Sequence, residues 1–298
     1  MKINKNIIKN RLNNYLLQKN PKLFRPSSLP FVSGDTFRNF AHHIFDETQT
    51  LKPNKVKEND IVFLKTDLKN IYFEHYHPKI QNPYYLFTHN SDEPVNESDI
   101  ELIDSKIKHW FAMKLNVLAN EFISPLPAGL ENARYLNNGR IKNFKKVLHE
   151  NEHVLSNKPN QILCSFNPNT NFDIRQPLLE LSNKHQEITV KQFENRLEYL
   201  QHLSTYKFNL CPEGNNFESH RIWESLLFGC TPVVIKNNVN ENFFDMGIPL
   251  LMLDSWDELQ NYTSLDLDKR NKINFNKNYS QFVTFEFWKN YIKSKYNH

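Results

Sequence analysis

Several things are scarce in this chain, and each scarcity narrows what it can be. Glycine occurs six times in 298 residues, so the one at position 214, inside a polar loop, stands out as a point of close backbone approach or positive φ. Cysteine occurs three times. Cys164, Cys211 and Cys230 cannot complete a disulfide framework and lack metal-ligand spacing, which leaves buried thiols of a reducing compartment. No apolar run reaches the length of a transmembrane span. The stretch MKINKNIIKNRLNNYLLQKN at residues 1–20 reads as an amphipathic, Lys- and Asn-rich helix without the apolar centre of a signal peptide. Long blocks of one charge are missing too. Lysines are dispersed and the formal charge is +4, so nucleic acid is not an expected partner, while a mildly positive balance suits an anionic substrate.

What is present describes a globular protein long enough for two domains: 39% hydrophobic, 23% charged and 13% aromatic residues, with aromatics available to stack on sugar rings as well as to fill a core. The chain is organised around YKFNLCPEGNNFESHRIWESLLFGCTPVVIK, residues 206–236. This reads as a strand (Tyr206 to Leu210), a polar loop, a helix from about Ser219 to Phe228 closed by Gly229, and a second strand (Thr231 to Ile235). Such a unit makes a parallel strand pair whose loop opens at the strand's carboxyl end, where open α/β sheets bind ligands. Ile222, Trp223, Leu226 and Leu227 supply the buried stripe of the helix. His220, Arg221 and Glu224 share another side of its first turns. A helix start attracts phosphate, Arg221 adds a fork of donors, and Glu224 one turn deeper suits the diol of a ribose. The same residues also fit an exposed intrahelical ion pair and a surface histidine.

The elements Pro212-Glu213-Gly214-Asn215, His220-Arg221-Ile222-Trp223-Glu224 and Gly229-Cys230-Thr231-Pro232-Val233-Val234 resemble the donor-binding segment of exostosin-like (GT47-like) glycosyltransferases, of the small soluble bacterial and viral type. The segment is also similar to that of fucosyltransferases that use GDP-fucose, with Glu213 at the loop glutamate, but Arg221 stands where those carry lysine. The exostosin-like resemblance implies a GT-B fold, two Rossmann-like α/β domains facing across a cleft, and a metal-independent, inverting transfer from a UDP-sugar to a glycan hydroxyl. It implies that Glu213, Gly214, Asn215, His220, Arg221 and Glu224 bind the donor. Eukaryotic exostosins are membrane-anchored; no such anchor is legible here, so a cytoplasmic location is expected. GDP-fucose as donor, or a non-catalytic nucleotide- or glycan-binding module, are the alternatives.

Upstream, Ser33-Gly34-Asp35 reads as a turn and cap for a helix from about Thr36 to Phe45. His42 and Asp46, four apart, fit either a base and its orienter or a solvated face. The run from Pro30 to Glu47 resembles the amino-terminal signature of the same small transferases, which puts forward Asp35 as catalytic base and Arg38 on the acceptor side. Strands at Asp60–Leu64 and Pro83–Phe87 end in Lys65-Thr66-Asp67 and His89-Asn90-Ser91-Asp92. These clusters add Lys65 on the acceptor side and Asp92 and His89 as further candidate bases. Segments His109–Leu115 and Glu121–Pro125 continue the sheet.

The bend at Pro125–Leu130 sets a domain boundary, with residues 1–128 on the acceptor side, joined by a terminal helix at 276–298, and residues 129–275 on the donor side. Helices are expected over Asn143–Glu150, Ile174–Asn183, Lys191–His202 and Ser255–Asn261, and strands over Gln161–Ser165 and Pro249–Leu253. Asp266-Leu267-Asp268 matches the Asp-x-Asp manganese motif of GT-A enzymes but follows a helix instead of a strand, so it reads as capping or surface charge. No metal or other cofactor is expected.

Overall fold

The computed structural model describes residues 25–151, 158–159, 161–270 and 278–296; the amphipathic helix expected at residues 1–20 lies outside them. The amino-terminal half holds a five-stranded sheet of β1 (His43–Phe45), β2 (Ile61–Lys65), β3 (Tyr84–His89), β4 (Ile107–Met113) and β5 (Ile123–Leu126), in sequential order and parallel throughout. Its strands are apolar on both faces, as a covered parallel sheet requires. Phe63, Tyr85, Phe87 and Phe111 point to one side, with α1 (Gly34–Phe40). Val62, Leu64, Leu86 and Trp110 point to the other and meet Tyr72 of α2 (Lys69–His75). The short α3 (Glu97–Ile100) opens with a capping box made by Asn96 and Asp99.

The helix expected over Thr36–Phe45 ends early. Ala41 is already extended, its N–H closes on Phe37 O, and His42 N–H donates to Ile61 O, so pairing with β2 claims residues 43–45. The stripe of Phe37, Phe40, Ile44 and Phe45 has helical spacing, but tertiary pairing outweighs it. This removes the alternative that joined His42 to Asp46. His42 Nδ1 accepts from Ile61 N–H, whereas Asp46 turns inward to Arg38 at 2.6 Å and Arg25 at 2.8 Å.

The carboxyl-terminal half contains α4 (Ile141–Glu150), α5 (Phe172–Lys184), α6 (Arg196–Leu203), α7 (His220–Leu227), α8 (Asn238–Asp245) and α9 (Ser264–Arg270). They surround a second parallel sheet of β6 (Ile162–Cys164), β7 (Ile188–Val190), β8 (Phe208–Leu210), β9 (Thr231–Ile235) and β10 (Leu251–Leu253). Its order, β10-β9-β8-β6-β7, reverses direction between β6 and β8. That is a topological switch point, where a doubly wound sheet leaves a crevice at its carboxyl edge. The three-residue β7 is too short to leave a strand pattern in the sequence, and the expected helix from Lys191 begins only at Arg196, after the Asn195 cap. Gly229, at φ +63°, ends the turn after α7 as expected.

The last helix, α10 (Phe285–Ser294), returns to the first sheet. Phe285 packs on Phe37 and Phe40, and Tyr291 on Phe111. Trp288, one turn from both Phe285 and Tyr291, meets Trp223 of α7 and Phe243 of α8 edge-on. One apolar core therefore runs through both halves. The carboxyl ends of β2, β3 and β4 and the loop after β8 open on one shared cleft, so the two α/β units face each other in a GT-B arrangement.

Candidate functional site

The cleft encloses about 620 Å³ between the halves. On its carboxyl-terminal wall, the switch point places the loop after β6 beside the loop after β8. Arg221, in the first turn of α7, donates from Nε to Ser165 O at 2.8 Å, which ties it to that crevice. Ser219, the residue preceding the helix, makes no side-chain capping bond. Glu224 is 2% exposed; its Oε1 contacts the Arg196 guanidinium, and its Oε2 is buried with no partner among the described residues. Burial would lower the pKa of Arg196, but the charge of Glu224 outweighs it and raises the value. His220 Nδ1 lies 2.7 Å from Gly129 O and its Nε2 3.7 Å from Glu131 Oε2, so it bridges to the segment after β5.

Behind the loop, Arg175 donates to Glu213 O, Asn167 O and Pro212 O, clamping the loops after β6 and β8 together. Burial, with Arg221 nearby, pushes its pKa down to about 10. Gly214 has no positive φ, and a Cβ there would meet Arg175 Nη2 at an ordinary 3.6 Å, so the surrounding chain does not force glycine. Gly214 and Asn215 line the cleft with His220, Arg221 and Glu224. Glu213 does not. Its Oε1 accepts from Asn237 Nδ2 at 3.1 Å, and burial raises its pKa against that bond.

The amino-terminal wall corrects the proposed base. Asp35 is fully buried beneath the cleft, its Oδ1 2.9 Å from Arg25 Nε and 3.1 Å from Asn90 Nδ2, so it holds the wall up and offers no surface to a substrate. Arg38 is likewise fully buried on Asp46 and Thr48, away from the acceptor side assigned to it. What lines the cleft above Asp35 is Asn90. A Cβ on Gly34 would come within 1.8 Å of Asn90 Oδ1, so the small residue before Asp35 is what lets Asn90 seat there.

His89 lines the cleft but has no free ring nitrogen. Nε2 lies 2.9 Å from Pro127 O, Nδ1 accepts from Asn90 N–H, and burial drives its pKa down to about 3, so it stays neutral. Asp92 is 65% exposed at the cleft edge, 2.7 Å from Lys114, and takes a hydrogen bond from Asn215 across the cleft. Burial raises its pKa slightly, but Lys114 outweighs that and holds it below the usual carboxylate range. Lys65 lines the cleft paired with Asp67 at 2.6 Å.

Glu218, at the end of the loop, carries no sequence signal beyond its place in a polar run. It is 4% exposed and lines the cleft. Oε1 accepts from Ala128 N–H at 2.8 Å and from Trp223 Nε1 at 2.5 Å, while Oε2 has no partner among the described residues. Burial, opposed by those two donors, pushes its pKa up to about 7. The folded protein thus holds this proton more tightly than the unfolded chain, whose glutamates titrate near ~4.3. The resulting stabilisation is present below that pH and is lost as pH rises through about 7. Calorimetry should show wild type losing stability relative to Glu218→Gln between pH ~5 and ~7.5; parallel curves would sink this assignment.

Elsewhere, Asp266 of the Asp-x-Asp match accepts from Thr263 and Asp268 pairs with Lys207 at 2.6 Å. Neither lines the cleft. The described cysteines are all buried and free, with burial pushing Cys164 up to about 11 and Cys230 up to about 12, so they stay thiols. No helix of the described residues is long and apolar enough to cross a membrane.

A cleft between two parallel α/β units, with an arginine and a helix start at the switch point of one of them, is the GT-B arrangement that glycosyltransferases use. Residues 100–247 match the model of the Exostosin GT47 domain, so this stretch carries an exostosin-like glycosyltransferase domain. No match is found among curated protein sequences. Among solved structures, the α,α-trehalose 6-phosphate synthase of Burkholderia multivorans matches with TM-score 0.45 at 7% identity, over 82% of this chain and 72% of that one. A UDP-forming α,α-trehalose-phosphate synthase from Burkholderia xenovorans, solved with glucose-6-phosphate, gives 0.46 at 8%, over 80% and 74%. An α1,3-fucosyltransferase solved with GDP-fucose gives 0.37 at 12%, over 84% and 94%.

Proposed function

We propose that this glycosyltransferase moves a sugar from a nucleotide-diphosphate sugar, a UDP-sugar in the first instance, to a glycan hydroxyl, with inversion and without a metal. The observation that carries the reading is Arg221: fixed through Nε at the crevice between the loops after β6 and β8, at the start of α7, and lining the cleft. There the guanidinium and the first-turn amides would take the diphosphate and neutralise the charge that develops on it as the bond to the sugar breaks. Glu224, held by Arg196 through one oxygen, keeps the other for a ribose hydroxyl. Gly214 and Asn215 lie toward the transferred sugar. With the donor on one wall and Lys65 and Asp92 on the other, an acceptor hydroxyl approaching from the amino-terminal side attacks the face opposite the leaving diphosphate, so a single displacement inverts the anomeric carbon.

Calorimetric titration with UDP and GDP tests this. Arg221→Ala should weaken binding of the preferred nucleotide by about 10- to 100-fold, the worth of a hydrogen-bonded charge. Unchanged affinity would remove Arg221 from the donor site. Tighter binding of GDP than UDP would shift the donor to the GDP-fucose class, and release of nucleotide diphosphate from a bound donor sugar would separate an enzyme from a binding module.

A further inference from the structure

Transfer to a hydroxyl needs a group that removes its proton, and the cleft holds few free carboxylate oxygens. Asp35 lies beneath Asn90 and does not line the cleft, Asp92 is held by Lys114, Asp67 is engaged by Lys65 and Ser91, Glu131 accepts from Asn132 N–H and lies 3.7 Å from His220, and Glu224, whose Oε2 is also without a partner, is paired with Arg196 beside Arg221. Glu218 differs. Two donors from different elements, Ala128 N–H after β5 and Trp223 Nε1 in α7, pin one of its oxygens and fix the carboxylate plane. The other oxygen is buried without a hydrogen-bond partner, in a residue that lines the cleft at the junction of the two halves. A carboxylate with one oxygen anchored and the other unengaged, between the donor loop and the amino-terminal wall, is built to accept a proton there.

We infer that Glu218 is the general base of the transfer, its unengaged Oε2 taking the proton of the acceptor hydroxyl as that oxygen attacks the anomeric carbon. The inference rests on the donor reading of the cleft given above. In the step, the acceptor O–H bond breaks and its proton passes to Oε2. The acceptor oxygen forms the new bond to the anomeric carbon, and the bond from that carbon to the diphosphate breaks, its electron pair leaving with the nucleotide. The charged and titratable groups facing Glu218 are Lys114 after β4 and His220 on α7, both favouring its ionised form. His89 on β3, nearby across Pro127, stays neutral. Glu218 is set near neutrality by its burial, which matches a base to the pH at which it works.

Glu218→Gln keeps an amide oxygen to accept from Ala128 and Trp223, preserves the side-chain volume, and removes the basicity. The readout is nucleotide diphosphate released from a panel of UDP- and GDP-sugars with water as acceptor, alongside calorimetric titration of UDP and GDP. Glu218→Gln should release product about 10²- to 10⁴-fold more slowly while nucleotide affinity stays within about twofold, since no nucleotide contact is removed. In wild type, kcat/KM should rise with pH through an inflection near 7, and that limb should vanish in the variant. Sodium formate, a small carboxylate, should restore part of the rate to Glu218→Ala. Turnover within tenfold of wild type in Glu218→Gln, or a pH limb that survives the substitution, overturns the assignment. A loss of nucleotide affinity equal to the loss of rate also overturns it, because Glu218 would then only shape the loop. Wild type that neither binds nor turns over any of these donors overturns the donor reading itself, and this assignment with it.

Discussion

Arg25→Ala is expected to lower the melting temperature by roughly 10 °C. Arg25 is fully buried and reaches Asp35 at 2.8 Å, Asp46 at 2.8 Å and Glu47 at 3.0 Å. Burial works against its charge, but the three carboxylates more than offset that and raise its pKa. Arg38 would remain as a partner for Asp46, whereas Asp35 would keep only Asn90 and, at 3.4 Å, Arg134. Breaking a buried pair from one side costs about 3–5 kcal/mol, because the orphaned charge stays out of water, and each kcal/mol moves a melting point of a protein this size by about 2–4 °C. Arg25→Lys should recover little, since a point charge cannot serve Asp35 and Asp46 at once as the fork does. A shift below about 2 °C by scanning calorimetry would mean that the cluster contributes almost nothing net. Because Asn90 leans on Asp35, the same substitution is expected to loosen the cleft wall and weaken turnover more than it weakens nucleotide binding.

Trp223→Ala is expected to cost about 3–5 kcal/mol, the range for emptying a fully buried large side chain. Trp223 is 0% exposed, with Phe243 at 5.1 Å and Trp288 at 5.9 Å between ring centroids, and it donates from Nε1 to Glu218. The cavity would open where α7, α8 and α10 meet. Trp223→Phe separates the two roles. It keeps most of the ring packing, should cost only about 1–3 kcal/mol for the hydrogen bond lost to an acceptor that keeps Ala128 N–H, and should push the Glu218 pKa further up by removing a donor that favours the carboxylate. Chemical denaturation of both variants and an upward move of the pH limb in Trp223→Phe check these expectations; equal destabilisation by Ala and Phe would show that the hydrogen bond, and not the packing, dominates.

The central unit was legible because its chemistry is local. A strand, a polar loop and an amphipathic helix follow one another within residues 206–236, and the structure brings Gly214, Asn215, His220, Arg221 and Glu224 to one cleft with Lys65, His89 and Asp92. Long-range partners were not legible. Asp35 and Arg38 sit on the first turns of a helix like exposed residues of any site, and only the arrival of Arg25 and Asp46 from elsewhere turns both inward. Arg196 and Arg175 carry no motif. The first is recruited across space by Glu224, the second by three main-chain carbonyls that no side-chain pattern could announce. Residues 43–45 show the same limit at the level of the backbone, where an edge pairing overrode a helical spacing.

The bridging of both halves by α10 has a consequence for motion. With Trp288 inserted against Trp223 and Phe243 while Tyr291 grips the first sheet and Phe285 grips α1, a wide swing of one half about the other would tear an apolar seam. Access must then come from small sliding of packed elements and from surface segments such as the one around Tyr135, whose ring is 49% exposed at the mouth. Such a molecule meets its ligands with its two walls already in place, surrendering little disorder on association, and its turnover should be paced by product release more than by gross closure.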